Sequence, residues 1–207
     1  MRIFSYFIIT CLFSLTVKAG VVSSLMQTAN IQTSGHNEAK LQNDIILSGS
    51  TGYNISAHYT FLLYENFLDL EAYLGTGSTN LFTGAMAKYN LFPDIQGQAG
   101  LSFLLGLSYL RDDESASVSQ KINRYALSTG ALGSKAFALS SYSHISPYLA
   151  YLLEILVAKS GTIVNHTVHT GVKFATSTLL PWSFYAEFAF KLKNSFNSFN
   201  LGVSYRF

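Results

Sequence analysis

The sequence predicts an all-β chain that closes into an antiparallel transmembrane β-barrel of eight to ten strands, with ten the better count. Three observations carry that expectation. Segments of about ten residues with period-two alternation recur along the chain, separated by turn residues. Charged residues make up 12% of a chain that is 49% apolar, against the ~25% charge usual for soluble domains. Beyond Ala19, no apolar run approaches the ~20 residues a spanning helix needs. Alternation gives each strand one apolar and one polar face. Lipid leaves no unpaired backbone group unpenalised, so the strands must close on themselves.

The chain opens on MRIFSYFIITCLFSLTVKAG. Arg2 supplies a positive start, Ile3 to Val17 an apolar stretch, and Ala19 a small residue before Gly20. That pattern marks residues 1–19 as a cleaved secretory signal peptide. The apolar stretch is too short for an anchor helix. The single cysteine, Cys11, sits inside the apolar stretch and not at its end, against a lipid attachment site. Cleavage leaves no disulfide framework and no thiol chemistry. Taking Arg2 and Lys18 from the 13 basic residues leaves 11, equal to the 11 acidic ones. A balanced chain has no polyanion footprint, which excludes nucleic acid as a partner.

Residues 20–43 are mostly polar without a sustained period and read as a lead-in; the barrel occupies 44–207. From Ile45 to Leu63 the odd positions alternate over a length that suits two strands divided near Gly49–Gly52; without the division the count falls to eight. FLDLEAYLG (67–75) follows the turn YEN, and LFTGAMAKYNL follows the loop TGSTN. After FPD comes IQGQAGLSFLLGLSYL, then the strongly polar RDDESASVSQK (111–121). INRYALSTGALGSKAF is a weaker strand, and SSYSHIS turns it into PYLAYLLEILVA (147–158). That apolar run alone could be a buried helix. IVNHTVHTGVKFA, WSFYAEFAFKL and FNLGVSYRF complete the set. A secreted β-sandwich would alternate too. Its outer face would need more charge than this chain carries. Tyr64, Phe67, Tyr89, Phe92, Tyr109, Tyr148 and Trp182 also cluster at strand ends, where interfacial girdles belong.

The closing stretch places Phe199, Leu201, Val203, Tyr205 and Phe207 on one face. It resembles the C-terminal assembly signal of bacterial outer-membrane proteins, a terminal aromatic preceded by apolar residues at every second position. With the strand YAEFAF before it, the chain resembles the small outer-membrane barrels of the OmpA, OmpW and opacity type, without a subfamily signature. The resemblance implies residence in the bacterial outer membrane, outer-membrane lipid as surroundings, and recognition of the last strand by the barrel-assembly machinery through β-strand addition. Short turns belong to the periplasmic end of such barrels and longer loops to the outside. On that rule 64–66, 92–94, 140–146 and 176–181 are periplasmic, and 76–80, 111–121, 159–162 and 193–198 are external.

With apolar positions facing lipid, the inward charges are Asp69, Glu71, Lys88, Arg124, Glu154, Lys173, Glu187, Lys191 and Arg206, with His58 and His169 beside them. Glu187 is the acid on the preceding strand that a staggered register could bring to Arg206. A near-balanced set in a lumen this narrow implies filling by paired charges, since eight-strand interiors are just wide enough for side chains. The expected role is non-enzymatic, in envelope structure or surface interaction. A narrow porin-like channel for small polar solutes is the alternative, and an outer-leaflet lipid-modifying hydrolase the second. His166 and His169 have the spacing of a helical metal pair, but on a strand they point to opposite faces. No outward serine obviously accompanies His166. The sequence therefore implies no catalytic residue, metal or cofactor. The sequons at 54–56 and 165–167 fall in or near strands and read as chance.

Overall fold

Period-two alternation governs the wall. The computed structural model describes residues 37–48, 50–64, 67–78, 81–94, 98–114, 120–141, 143–158, 161–176, 181–193 and 197–207. The proposed signal peptide and residues 20–36 of the lead-in lie outside them. The strands are β1 (Glu38–Ser48), β2 (Ser50–Tyr64), β3 (Leu68–Gly77), β4 (Leu81–Phe92), β5 (Gly100–Glu114), β6 (Gln120–Ser134), β7 (Phe137–Ser140), β8 (Ser143–Ala158), β9 (Gly161–Thr176), β10 (Trp182–Lys193) and β11 (Ser198–Arg206).

Each strand pairs antiparallel with its chain neighbour, except that β6 and β7 both pair with β8. β1 closes the ring against β11, from Glu38 opposite Arg206 to Ile46 opposite Ser198. The result is a closed antiparallel barrel of ten strands, with β6 and β7 forming one interrupted stave. The interruption faces Pro147, which has no N–H to offer a ladder. Lys135 N–H still reaches the Pro147 carbonyl at 3.1 Å. The buried Asp94 carboxylate accepts from Ala136 N–H and the Ser134 hydroxyl, each at 2.8 Å. The break is thus satisfied by a side chain instead of a neighbouring strand.

Two expectations are corrected. The polar lead-in does not extend to residue 43, because β1 begins at Glu38. Residues 38–43 alternate with the opposite emphasis, polar side chains at even positions facing inward. The loop expected at 111–121 is largely strand, with β5 running to Glu114 and β6 starting at Gln120. Main-chain pairing there proceeds whatever the side-chain charge. At the end opposite the termini, the gaps between strands are accordingly no longer than those at the other end.

The two faces differ sharply. Leu41, Leu74, Leu105, Leu107, Leu149, Phe184 and Leu201 are exposed on the outside. Inside, the lumen has two walls. β4, β5, β6 and β8 contribute Met86, Leu104, Leu132, Ala150 and Leu152, in one buried cluster with Tyr148. Phe82, Leu110, Ala126 and Leu156 form a second cluster toward the other end. The remaining strands contribute polar groups. The sequence carries this division: β5 and β8 are apolar at both parities, as in strands buried on both faces.

Aromatics line the outside at the terminal end. Trp182 meets Tyr205 at 4.9 Å, Tyr205 meets Phe207 at 5.1 Å, and Phe207 meets Tyr59 at 6.5 Å, all centroid to centroid. This row runs along the β10–β11–β1–β2 seam where the barrel closes. Toward the opposite end, two outward tyrosines bond polar partners on the adjacent strand, Tyr53 to Asn43 and Tyr109 to Asn123, and at mid-strand Tyr151 bonds His166. Such phenols mark an interface where one end of the ring is apolar and the other wet. Tyr148 is a correction to the expected girdle, because it points into the lumen and is buried.

Candidate functional site

The lumen concentrates the chain's buried charge, and successive strands deliver it in pairs. β1 places Lys40 opposite His58 of β2, and β2 places His58 opposite Tyr73 and Thr60 opposite Glu71 of β3. The Lys40 ammonium lies 3.0 Å from Glu71 Oε2, and His58 Nδ1 lies 2.7 Å from Glu71 Oε1. The Thr60 hydroxyl donates to the same carboxylate at 3.3 Å, and Ser56 Oγ sits 2.8 Å from His58 Nε2. One rung away, Lys88 meets Asp69 at 2.8 Å.

Glu187 of β10 is a second hub. It accepts from the Tyr148 hydroxyl at 2.8 Å, from Asn200 Nδ2 at 2.9 Å and from His169 Nδ1 at 3.0 Å. Thr167 Oγ1 then lies 2.9 Å from His169 Nε2. His169 and Asn200 are 0% exposed and Glu187 is 1% exposed. Toward the termini, Tyr185 donates to Glu38 at 2.7 Å, and Lys173 approaches the same carboxylate at 3.6 Å. The Lys173 ammonium also stands 5.1 Å from the Tyr185 ring centre, a cation–π distance.

Both hubs repeat one pattern. A hydroxyl and a histidine two residues apart share the inner face of one strand, and a glutamate follows on the next. Ser56, His58 and Glu71 form one set, and Thr167, His169 and Glu187 the other. Hydroxyl, imidazole and carboxylate in sequence is the order of an activated nucleophile. A nucleophile needs a substrate within reach, however, and both hydroxyls are buried among other side chains. The arrangement satisfies buried donors and acceptors, which in a low dielectric are costly to leave unpaired.

Of the charges read as inward from the sequence, Asp69, Glu71, Lys88, Glu154, Lys173 and Glu187 are buried in the lumen. Glu154 accepts from Ser128 at 3.3 Å. Arg124 and Arg206 are half-buried, and the Lys191 side chain lies outside the described residues. Arg206 does not meet Glu187. Its strand position lies opposite Glu38, whereas Glu187 lies opposite Asn200. The separation is three rungs of β11, and Arg206 Nη2 instead reaches the Thr176 carbonyl at 3.4 Å. On the closing strand, Leu201 and Phe207 are exposed outside, while Ser198, Asn200 and Ser204 are buried inside. His166 and His169 lie on opposite faces, and among the described residues no three His, Cys, Asp or Glu side chains gather to hold a metal.

Sequence reasoning missed Glu38, Lys40, Gln42 and Asp44, all buried on β1. Their signal was the even-numbered run itself, set against Leu41, Ile45 and Leu47. It also missed the inward tyrosines Tyr148 and Tyr185, which share the parity of Glu154 and Glu187 on their own strands.

No family model and no curated sequence matches the chain. Solved structures do match in fold. The chain is similar to the COG4313 outer membrane channel from Pseudomonas putida F1, with 11% identity and a TM-score of 0.51, covering 86% of this chain and 98% of that one. It is also similar to the beta domain of the Bordetella autotransporter BrkA, with 12% identity and a TM-score of 0.52, covering 84% of this chain and 99% of that one. At these identities the likeness is one of fold. It agrees with the apolar outer wall: the chain folds as a transmembrane β-barrel.

Proposed function

We propose that this barrel is closed to solutes and serves the envelope as a structural or surface-interaction element, not as a pore or an enzyme. One observation carries the reading. The inward side chains of the polar wall, from Glu38 on β1 to Ser204 on β11, are almost wholly out of reach of water. A channel wide enough for a solute would leave its lining wet. Here Leu104, Leu132 and Leu152 fill one side of the interior, and the ion pairs of Glu71, Asp69 and Glu38 fill the other. The pairs also offset the cost of charge at membrane depth.

The same reading includes two steps of biogenesis. Residues 1–19 direct export and are removed. The face Phe199, Leu201, Val203, Tyr205 and Phe207 is then offered to the assembly machinery before β11 pairs with β1. Liposome swelling tests the closed lumen. Vesicles carrying the folded protein should resist swelling in small sugars and amino acids as plain vesicles do. Swelling that grows with protein content would support the channel alternative.

A further inference from the structure

Most of the lumen acids described above have a partner of opposite or switchable charge. Glu38 has Lys173, Asp69 has Lys88, Glu71 has Lys40 and His58, and Glu187 has His169. Asp44 differs. It is 1% exposed, and among the described residues its carboxylate accepts one hydrogen bond, from the neutral amide of Gln42 at 3.0 Å. The other charges that act on it are Glu187, Lys40 and His169. Lys40 and His169 are already bound to glutamates.

Asp44 lies among amides, with Gln42 two residues before it and Asn54 directly opposite on β2. Gln42 gives its Nε2 to Asp44, which leaves Gln42 Oε1 close by and without a partner. Asn200 stands directly opposite Asp44 on β11. It gives its Nδ2 to Glu187, which leaves Asn200 Oδ1 without a partner as well. Gln42 is 2% exposed and Asn200 0% exposed. Across from Gln42 lies Gly202, which contributes no side chain to fill the space. Directly opposed residues on a sheet face bring their Cβ atoms within about 5.5 Å, close enough for Asp44 and Asn200 to share a small ligand.

We propose that the Asp44 carboxylate, Gln42 Oε1 and Asn200 Oδ1 bind one hard cation of the calcium class. The donor set is oxygen only, which suits calcium or magnesium and not zinc or copper. A buried water could donate to two of these oxygens but would leave the carboxylate charge uncompensated. A cation meets the carboxylate, the two amide oxygens and that charge together. Glu187 adds a second negative charge one residue removed, through Asn200. This places the ion at the β1–β11 seam, where it would tie the first strand to the last.

The test uses the full mature chain, folded in detergent and stripped with a chelator. Calcium chloride is titrated in by calorimetry against wild type, D44N and Q42A, with folding of each checked by its heat-dependent gel shift. Wild type should bind one calcium, and its melting temperature should rise on addition. D44N should fold, bind none and melt at the same temperature with or without calcium. Q42A should bind about 10–100-fold more weakly. No calcium binding to folded wild type overturns the proposal. So does an infrared band of a protonated carboxyl that D44N removes, because Asp44 would then be neutralised by a proton. Neither result bears on whether the lumen conducts.

Discussion

Replacing Glu187 with alanine tests the polar core at its most connected point. Three donors converge on that carboxylate: the Tyr148 hydroxyl, Asn200 Nδ2 and His169 Nδ1, at 2.8, 2.9 and 3.0 Å. Glu187→Ala strands all three in a site that water does not enter. Each stranded buried donor costs about 1–3 kcal/mol, and local relaxation recovers part of the sum. Removing one partner of a buried charged pair typically costs about 3–5 kcal/mol, and that range is the expected loss. Glu187→Gln is the control. Its Oε1 still accepts from Asn200 and His169, and its Nε2 can donate to Tyr148, whose hydroxyl can turn from donor to acceptor. The expected loss is about 1 kcal/mol, that of one ordinary hydrogen bond. Urea unfolding in detergent, followed by the single tryptophan, Trp182, on the outer wall, gives both values. An alanine variant within about 1 kcal/mol of wild type, or a glutamine variant as damaged as the alanine, would refute the hub.

Leu105→Arg places a charge on the lipid face midway along β5, where the leucine is 58% exposed; it should cost about 2–4 kcal/mol and reduce folding into phosphatidylcholine vesicles. Leu132→Ala empties the centre of the apolar wall, where the leucine is 0% exposed, and should cost about 2–5 kcal/mol in the same urea assay. Deleting Phe207 removes its contacts with Tyr205 and Tyr59 and its N–H bond to the Asn37 carbonyl. Those contacts are on the outside of the barrel and an aromatic pair is worth about 0.5–1.5 kcal/mol. Refolding into detergent should therefore be close to normal while assembly in cells slows; equal damage in both would make Phe207 a packing element only.

The fold was legible where alternation sets apolar against polar positions. The closing strand is the clearest case, since Phe199 to Phe207 keeps one parity apolar throughout. β1 was not legible for a physical reason. Its outward positions include Ala39 and Asn43, so the lipid face carries little hydrophobic signal, and the order lies in the inward Glu38, Lys40, Gln42 and Asp44. Tyr148 was misplaced because its strand is apolar on both faces. Only the parity of Glu154, six residues on, tells which way it points. The strand extensions at 111–114 and 120–121 were hidden because main-chain pairing continues through a polar stretch when the register is already set. Individual lumen partners were beyond reach. Which acid meets which base depends on the stagger between strands, and three rungs separate Arg206 from Asn200, which faces Glu187.

Planar-bilayer recording of the folded wild-type chain bears most directly on the closed lumen. The packed interior should give no current steps above bare bilayer. Lys40→Ser combined with Leu132→Ala should bring intermittent openings, because it clears side chains from the polar and the apolar walls together. Stable ohmic conductance from wild type, unchanged by those substitutions, would contradict the account.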